Sequence, residues 1–279
     1  MNCELDPNRC LKGRPVPRRV LLIVLAGSFW LKPDAALADL SLETETARIL
    51  APKHFEVSMA FEYQFASSGR EAALPFAIEA GLLPRLELLI EPTAYVGIFP
   101  SEGKRAQGMG DVEVTLTFLA LNERKYLPAI AVAGEVKFPT ASNPQIGTGA
   151  YDYTPYFIVS KRFGDLDVHA NFSYTFLGKP SGVSVKNTWA LALAGDYKLH
   201  RKWDVFAEVM YTTSGRGSAS IEGGTGGEGT GAIAEIAGVE LIGTAGLRHH
   251  LTKHLDLFGS VSFDNAHATL VRTGLTWKF

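Results

Sequence analysis

The chain has 279 residues, 46% of them hydrophobic and 20% charged, with a formal net charge of -2. That length fits one large domain or two small ones, and so even a charge balance excludes the basic footprint of a nucleic-acid-binding protein. The 2 cysteines, Cys3 and Cys10, both lie near the N-terminus.

Arg14, Arg18 and Arg19 precede the apolar run Val20 to Trp30, and Ala36-Leu37-Ala38 follows it. A positive region, a short apolar run and an A-x-A site predict a signal peptide over residues 1–38, cleaved after Ala38. The run is far shorter than the roughly 20 residues of a membrane-spanning helix. Its removal takes six basic residues (Arg9, Lys12, Arg14, Arg18, Arg19, Lys32) and three acidic ones (Glu4, Asp6, Asp34), leaving 21 basic, 26 acidic and a net charge of -5. The exported chain then has no cysteine and is no disulfide-stapled scaffold. Residues 39–52 are expected to form a short N-terminal segment, and 53–279 the folded domain.

From Phe55 the sequence alternates with period two, the signature of strands rather than helices. Phe55, Val57, Met59, Phe61, Tyr63 and Phe65 share one side; Glu56, Ser58, Glu62 and Gln64 share the other. The pattern recurs over Leu74 to Ala80, Leu86 to Ile98, Val112 to Phe118, Ile130 to Phe138, Tyr153 to Phe163 and Leu166 to Phe176. It continues over Val185 to Leu199, Trp203 to Tyr211, Gly238 to His250, Leu255 to Phe263 and Val271 to Phe279. These are twelve expected strands. Short connections (Leu83-Pro84, Asn122 to Lys125, Gly164-Asp165, His200 to Lys202, Thr252-Lys253) alternate mostly with long ones, among them the Gly-rich Ser214 to Gly231, read as a loop. Short turns at one end and long loops at the other match an outer-membrane barrel.

Alternation alone does not distinguish a soluble barrel from a membrane barrel, because both place charges in water. Three features favour the membrane: the export signal, aromatic residues near strand ends, and strands of about the 9–11 residues that a tilted span needs. The expected fold is therefore all-β, an antiparallel up-and-down transmembrane barrel. Its polar face would line a lumen with Glu56, Glu62, Arg85, Glu87, Glu91, Glu113, Glu135, Lys137, Arg162, His169, Lys186, Lys198, Glu208, Arg248 and Arg272. Phe206, Met210 and Phe258 are apolar residues on otherwise polar faces. The ending V-R-T-G-L-T-W-K-F reads as a closing strand that pairs with the first and leaves no edge exposed.

Gly108 to Phe118 (G-M-G-D-V-E-V-T-L-T-F) resembles a strand motif of a bacterial family, "MetA-pathway of phenol degradation". Val136 to Thr140, Gly147 to Tyr153, Val159 to Gly164 and the ending G-L-T-W-K-F resemble it too. The resemblance runs roughly from Phe55 to Phe279 and implies an outer-membrane transporter barrel. It also implies that Trp277 and Phe279 form the signal read by the barrel-assembly machinery. Geometrically, Gly164-Asp165 suits a two-residue hairpin, and Asp111 and Asp152 mark where strands leave loops.

Three functions are weighed. A channel for small, hydrophobic or aromatic solutes fits a twelve-stranded lumen, wider than a filled eight-stranded barrel. A closed anchoring barrel would follow if the mixed lumen charges seal it. A lipid-modifying hydrolase would need a nucleophile and base in contact. The nearest set, His169, Asn171 and Ser173, spaces consecutive members about 6.5–7 Å apart along one strand, so no catalytic residues are assigned. His249, His250 and His254 lack the supporting ligands of a metal site, and no metal or other cofactor is expected. The expected partners are outer-membrane lipid, the assembly machinery and a small solute, with no nucleic acid.

Overall fold

A computed structural model of the chain describes residues 42–180, 185–213 and 239–279. The expected signal peptide of residues 1–38 and the expected loop Ser214 to Gly231 lie outside these residues. Thirteen strands are described: β1 (Phe55–Ala66), β2 (Gly69–Leu83), β3 (Leu86–Pro100), β4 (Ala106–Gly108), β5 (Val112–Leu121), β6 (Ala129–Phe138), β7 (Asp152–Phe163), β8 (Leu166–Thr175), β9 (Thr188–His200), β10 (Trp203–Thr213), β11 (Val239–His250), β12 (Leu255–Asp264) and β13 (Thr269–Lys278).

Twelve of these strands form a closed antiparallel wall. Chain neighbours pair throughout, β3 passes directly to β5, and β1 pairs with β13 to close the ring. β4 is a three-residue addition to the outer half of β3. The sequence places it in the loop Pro100 to Gly108, because three residues hold too little alternation to reveal a strand. At the seam, the Phe279 N–H donates to the Phe55 carbonyl at 2.9 Å. The hairpin at Gly164 turns with φ 66°, a left-handed conformation that glycine adopts at little cost.

Which face looks where is settled by burial. Along β1, Glu62 is 4% exposed while its neighbour Phe61 is 52% exposed. The same inversion holds around the ring: Glu56, Ser58, Lys137, Ser160, Asp204, Arg248 and Thr276 are buried, and Phe118, Phe157, Phe172, Leu193, Val209 and Leu247 are exposed. A soluble barrel would bury the second group. A closed wall of hydrogen-bonded strands with an apolar exterior is the form that spans a bilayer with strands. Tyr151, Tyr153 and Phe176 sit at the long-loop end, and Phe163, Trp203, Trp277 and Phe279 at the short-turn end, all exposed. Amphipathic rings at both ends mark the two membrane interfaces. The short-turn end, with the seam between the termini of β1 and β13, is the periplasmic one.

Candidate channel lumen

The interior carries both signs of charge, and several of them pair across strands. Arg272 on β13 donates to Glu62 on β1 at 2.6 Å. Arg248 on β11 reaches Asp196 on β9 at 3.1 Å and lies 5.6 Å from the Phe206 ring. Arg162 contacts Asp167 at 2.8 Å near the periplasmic end. Glu135 accepts from the Tyr156 hydroxyl at 2.9 Å. Glu113 lies opposite Glu91 on one side and opposite Lys137 on the other. Glu56, Glu87, His169 and Glu208 are buried on the same inner face. Three residues lie elsewhere than mid-wall: Arg85 is exposed in the turn between β2 and β3, Lys186 is exposed just before β9, and Lys198 is exposed at the periplasmic end of β9.

The two aspartates flanking the long loops hold those loops. Asp111 accepts from the Ala141 N–H at 2.8 Å, and Asp152 accepts from the Gly178 N–H at 2.7 Å. Lys137 is ion-paired with Asp152 and lies 3.8 Å from Asp111. This places one buried ammonium between the anchors of two extracellular loops.

Sequence reasoning missed the main occupant of the lumen. Residues 43–50 cross its periplasmic half and touch much of the ring. Glu43 is ion-paired with Arg272, and Thr44 donates to Glu208. The Ala47 N–H donates to Ser160 Oγ at 2.9 Å. Arg48 forks onto Asp167, with Nε to Oδ2 at 2.6 Å and Nη2 to Oδ1 at 2.7 Å, and Nη2 also reaches Glu123 at 2.6 Å. The Leu50 N–H donates to Glu87. Ala47 and Ile49 pack against the inward Ala129, Ala131 and Ala133 of β6 and Ile158 of β7. Small side chains on that wall leave the space that the segment fills. At the rim, a Cβ on Gly81 would lie 2.1 Å from the Ala51 carbonyl oxygen, so only glycine lets the chain pass into β1 there. The sole local hint is that row of alanines on an otherwise polar face; periodicity says nothing about a non-repetitive T-E-T-A-R-I-L.

His169 does find a serine, but it is the cross-strand Ser160, not Ser173. Ser160 Oγ lies 2.8 Å from His169 Nδ1, and Asp196 Oδ2 lies 3.7 Å from Nε2. This set does not make a working triad. The carboxylate is beyond hydrogen-bond reach, and Ser160 Oγ is fully buried and already accepts from Ala47. Its evident role is to seat the crossing segment. The three histidines near the C-terminal turns go separate ways. His249 stacks 4.2 Å from Trp203, His250 sits between Asp204 and Asp256 at 2.9 Å from each, and His254 contacts the Lys278 carbonyl at 3.0 Å.

Two apolar features complete the interior. Phe206 and Phe258 lie flat over glycines of the next strand: a Cβ on Gly246 would meet Phe206 Cζ at 2.3 Å, and one on Gly274 would meet Phe258 Cζ at 2.4 Å. The rings cover bare backbone instead of projecting across the lumen. In the extracellular half, Ala73, Val96, Ile98, Ala106 and Ile146 form an apolar patch on the inner wall. Beside it the β2–β3 ladder shifts register between Leu74 and Pro75. Pro75 and Pro92 have no N–H to give, so the wall is thinly bonded at this height.

A model of the family described as "Putative MetA-pathway of phenol degradation" matches residues 79–279. None of the curated proteins matches the sequence. Among solved structures, the chain is similar to the COG4313 outer membrane channel from Pseudomonas putida F1, at TM-score 0.63 and 12% identity over 82% of this chain and 97% of that one. It is also similar to the NanC porin (TM-score 0.57, 14% identity, 80% and 100% covered). The KdgM porin in complex with disordered oligogalacturonate is a third (TM-score 0.52, 13% identity, 80% and 99% covered). At these identities the likeness establishes the outer-membrane barrel fold.

Proposed function

The chain belongs to the family of the phenol-degradation pathway barrels, and from that premise we propose that it is an outer-membrane channel for small apolar or aromatic solutes. The observation that carries the proposal is the split character of the lumen. Its periplasmic half is crossed by residues 43–50, fastened to β3, β7, β8, β10 and β13. Its extracellular half offers an apolar patch next to a thinly bonded stretch of wall. A hydrophilic solute moving down the axis meets the crossing segment. An apolar solute entering from outside meets Ala73, Val96 and Ile98 and, beside them, the register shift at Pro75, where the β2–β3 ladder would part to let it leave sideways into lipid. Burial of apolar surface favours each of these steps over a return to water.

The second reading, a closed barrel with an anchoring role, draws support from the paired lumen charges. Among the described residues, no free nucleophile lies within reach of a base and an orienting group, so these residues lend a hydrolase no support. The test is uptake of a labelled aromatic hydrocarbon by cells carrying the barrel, beside swelling of liposomes in small sugars. A disulfide between Leu74→Cys and Tyr95→Cys, which are register partners across β2 and β3, should stop aromatic uptake until it is reduced and leave sugar swelling unchanged. Absence of flux for both solute classes would overturn the channel in favour of the anchor. Uptake unaffected by the disulfide would remove the sideways exit.

A further inference from the structure

Four outward-facing positions at the extracellular end of β1–β4 line up across adjacent strands. Phe65 on β1 is the register partner of Arg70 on β2, and Arg70 is the partner of Phe99 on β3. Arg105 precedes β4, whose Ala106 pairs with Ile98, and its guanidinium lies 5.9 Å from the centroid of the Phe99 ring. The row therefore reads aromatic, cation, aromatic, cation. Phe65, Arg70 and Arg105 are exposed and Phe99 is half-buried, while the intervening Glu71, Ile98 and Ala106 are turned inward and buried. Lys104 adds a third exposed cation, and Glu102 is the one acidic residue in the connecting loop Ser101 to Arg105.

These cations differ from those of the lumen. Arg48, Arg162, Arg248 and Arg272 are all held by carboxylates. Among the described residues, Arg70, Lys104 and Arg105 take part in no ion pair. Their height is fixed by the aromatic rings, which mark the boundary between hydrocarbon and headgroups. Just outside that boundary lies the phosphate layer of the outer leaflet. A guanidinium recognises phosphate with paired N–H donors and is drawn to an aromatic face, as Arg105 is over the Phe99 ring. Arg70 and Arg105 stand two strand spacings apart, about 10 Å, close enough to serve one headgroup together.

We propose that this row is a docking site for the phosphate-bearing headgroup of an outer-leaflet glycolipid. The occupant is a lipid and not a soluble anion, because the site opens sideways at the edge of the apolar belt. Acyl chains would run down the exposed Phe61 and the half-buried, outward-facing Tyr63 and Leu74, and the phosphate would meet Arg70 and Arg105.

The test uses the purified full barrel in detergent, with bisphosphorylated lipid A and its dephosphorylated form as probes, and native mass spectrometry as the readout. The phosphorylated form should bind wild type saturably, and the dephosphorylated form about tenfold or more weakly, as the loss of charge-assisted hydrogen bonds dictates. Arg70→Gln with Arg105→Gln should weaken the phosphorylated form by a similar factor, with heat-modifiable gel migration unchanged. Lys253→Gln, at the opposite end, should have no effect. Equal affinity for the two lipid forms on wild type overturns the proposal without recourse to any variant. So does an equal loss in Lys253→Gln, which would mean unspecific attraction. Displacement by millimolar inorganic phosphate would likewise overturn it, making the row a site for the free ion.

Discussion

Arg48→Ala should unfasten the crossing segment without harming the barrel. Arg48 donates three charge-assisted hydrogen bonds, two to Asp167 and one to Glu123. Both acids keep other partners in its absence: Asp167 retains Arg162 at 2.8 Å, and Glu123 retains Lys161 at 2.8 Å. No buried charge is orphaned, so the loss falls on the seating of the segment alone. Bonds of this kind contribute about 1.5–3 kcal/mol each when well buried. The site borders the periplasmic mouth and is partly wet, which lowers the sum to about 2–3 kcal/mol. That shifts the ratio of unseated to seated segment roughly 30- to 150-fold, at tenfold per 1.4 kcal/mol. Single-channel recording in planar bilayers reads it directly, as a larger fraction of time in a higher-conductance state. Arg48→Lys, which keeps the charge but not the fork, should fall between. An open fraction unchanged in Arg48→Ala would refute the argument, and so would a variant that no longer folds.

The same site sets a pH dependence. Burial alone would raise the Glu123 carboxyl, but hydrogen bonds from Lys161, Arg48 and the Arg162 N–H outweigh it and hold the group below its ordinary value. A depressed carboxyl contributes to seating at any pH above its unfolded value, about 4.3, and that contribution is lost as pH falls through the lower folded value. The part of the seating that Glu123 supplies should therefore be equal at pH 7 and pH 5 and be lost only in stronger acid, read as the conductance difference between wild type and Glu123→Gln across that range. Arg272→Met strips Glu62 of its partner inside the wall; a buried charge left alone costs about 3–5 kcal/mol, to be read as a lower urea midpoint of the refolded barrel in detergent. Gly81→Val drives a side chain into the Ala51 carbonyl, 2.1 Å from the Cβ position, and should raise the open fraction as Arg48→Ala does. Deleting Phe279 removes the N–H that bonds Phe55 across the seam; the heat-modifiable fraction in outer membranes should fall sharply.

The wall was legible in the sequence because period-two alternation is a local property. Each of the twelve wall strands carries it, and the opposition of Glu62 to Phe61 can be read from two adjacent letters. The assignment of the apolar face to lipid needed burial, since water meets the polar face in either kind of barrel. The crossing segment was not legible, because its partners are remote: Arg48 and Asp167 are 119 residues apart. For the same reason the strand pattern offers His169 only Asn171 and Ser173, too far along the strand to touch, whereas its neighbour Ser160 is the register partner on β7. A strand presents alternate residues too far apart to touch, so contacts in a barrel are made across strands, and a sequence does not display its register. The Phe–Gly pairs escaped on the same grounds, and β4 because three residues are too few to show alternation.

Only four residues separate Leu50, bonded to Glu87, from Phe55, where β1 begins. The tether is pinned in between, by the Lys53 N–H to the Gly81 carbonyl at 2.9 Å and the Gly81 N–H to the His54 carbonyl at 3.0 Å. A link of that length reaches about 17 Å at full stretch. Once unseated, residues 43–50 therefore swing about a hinge on the inner sill and hang below the mouth, within reach of anything that grips a peptide in the periplasm.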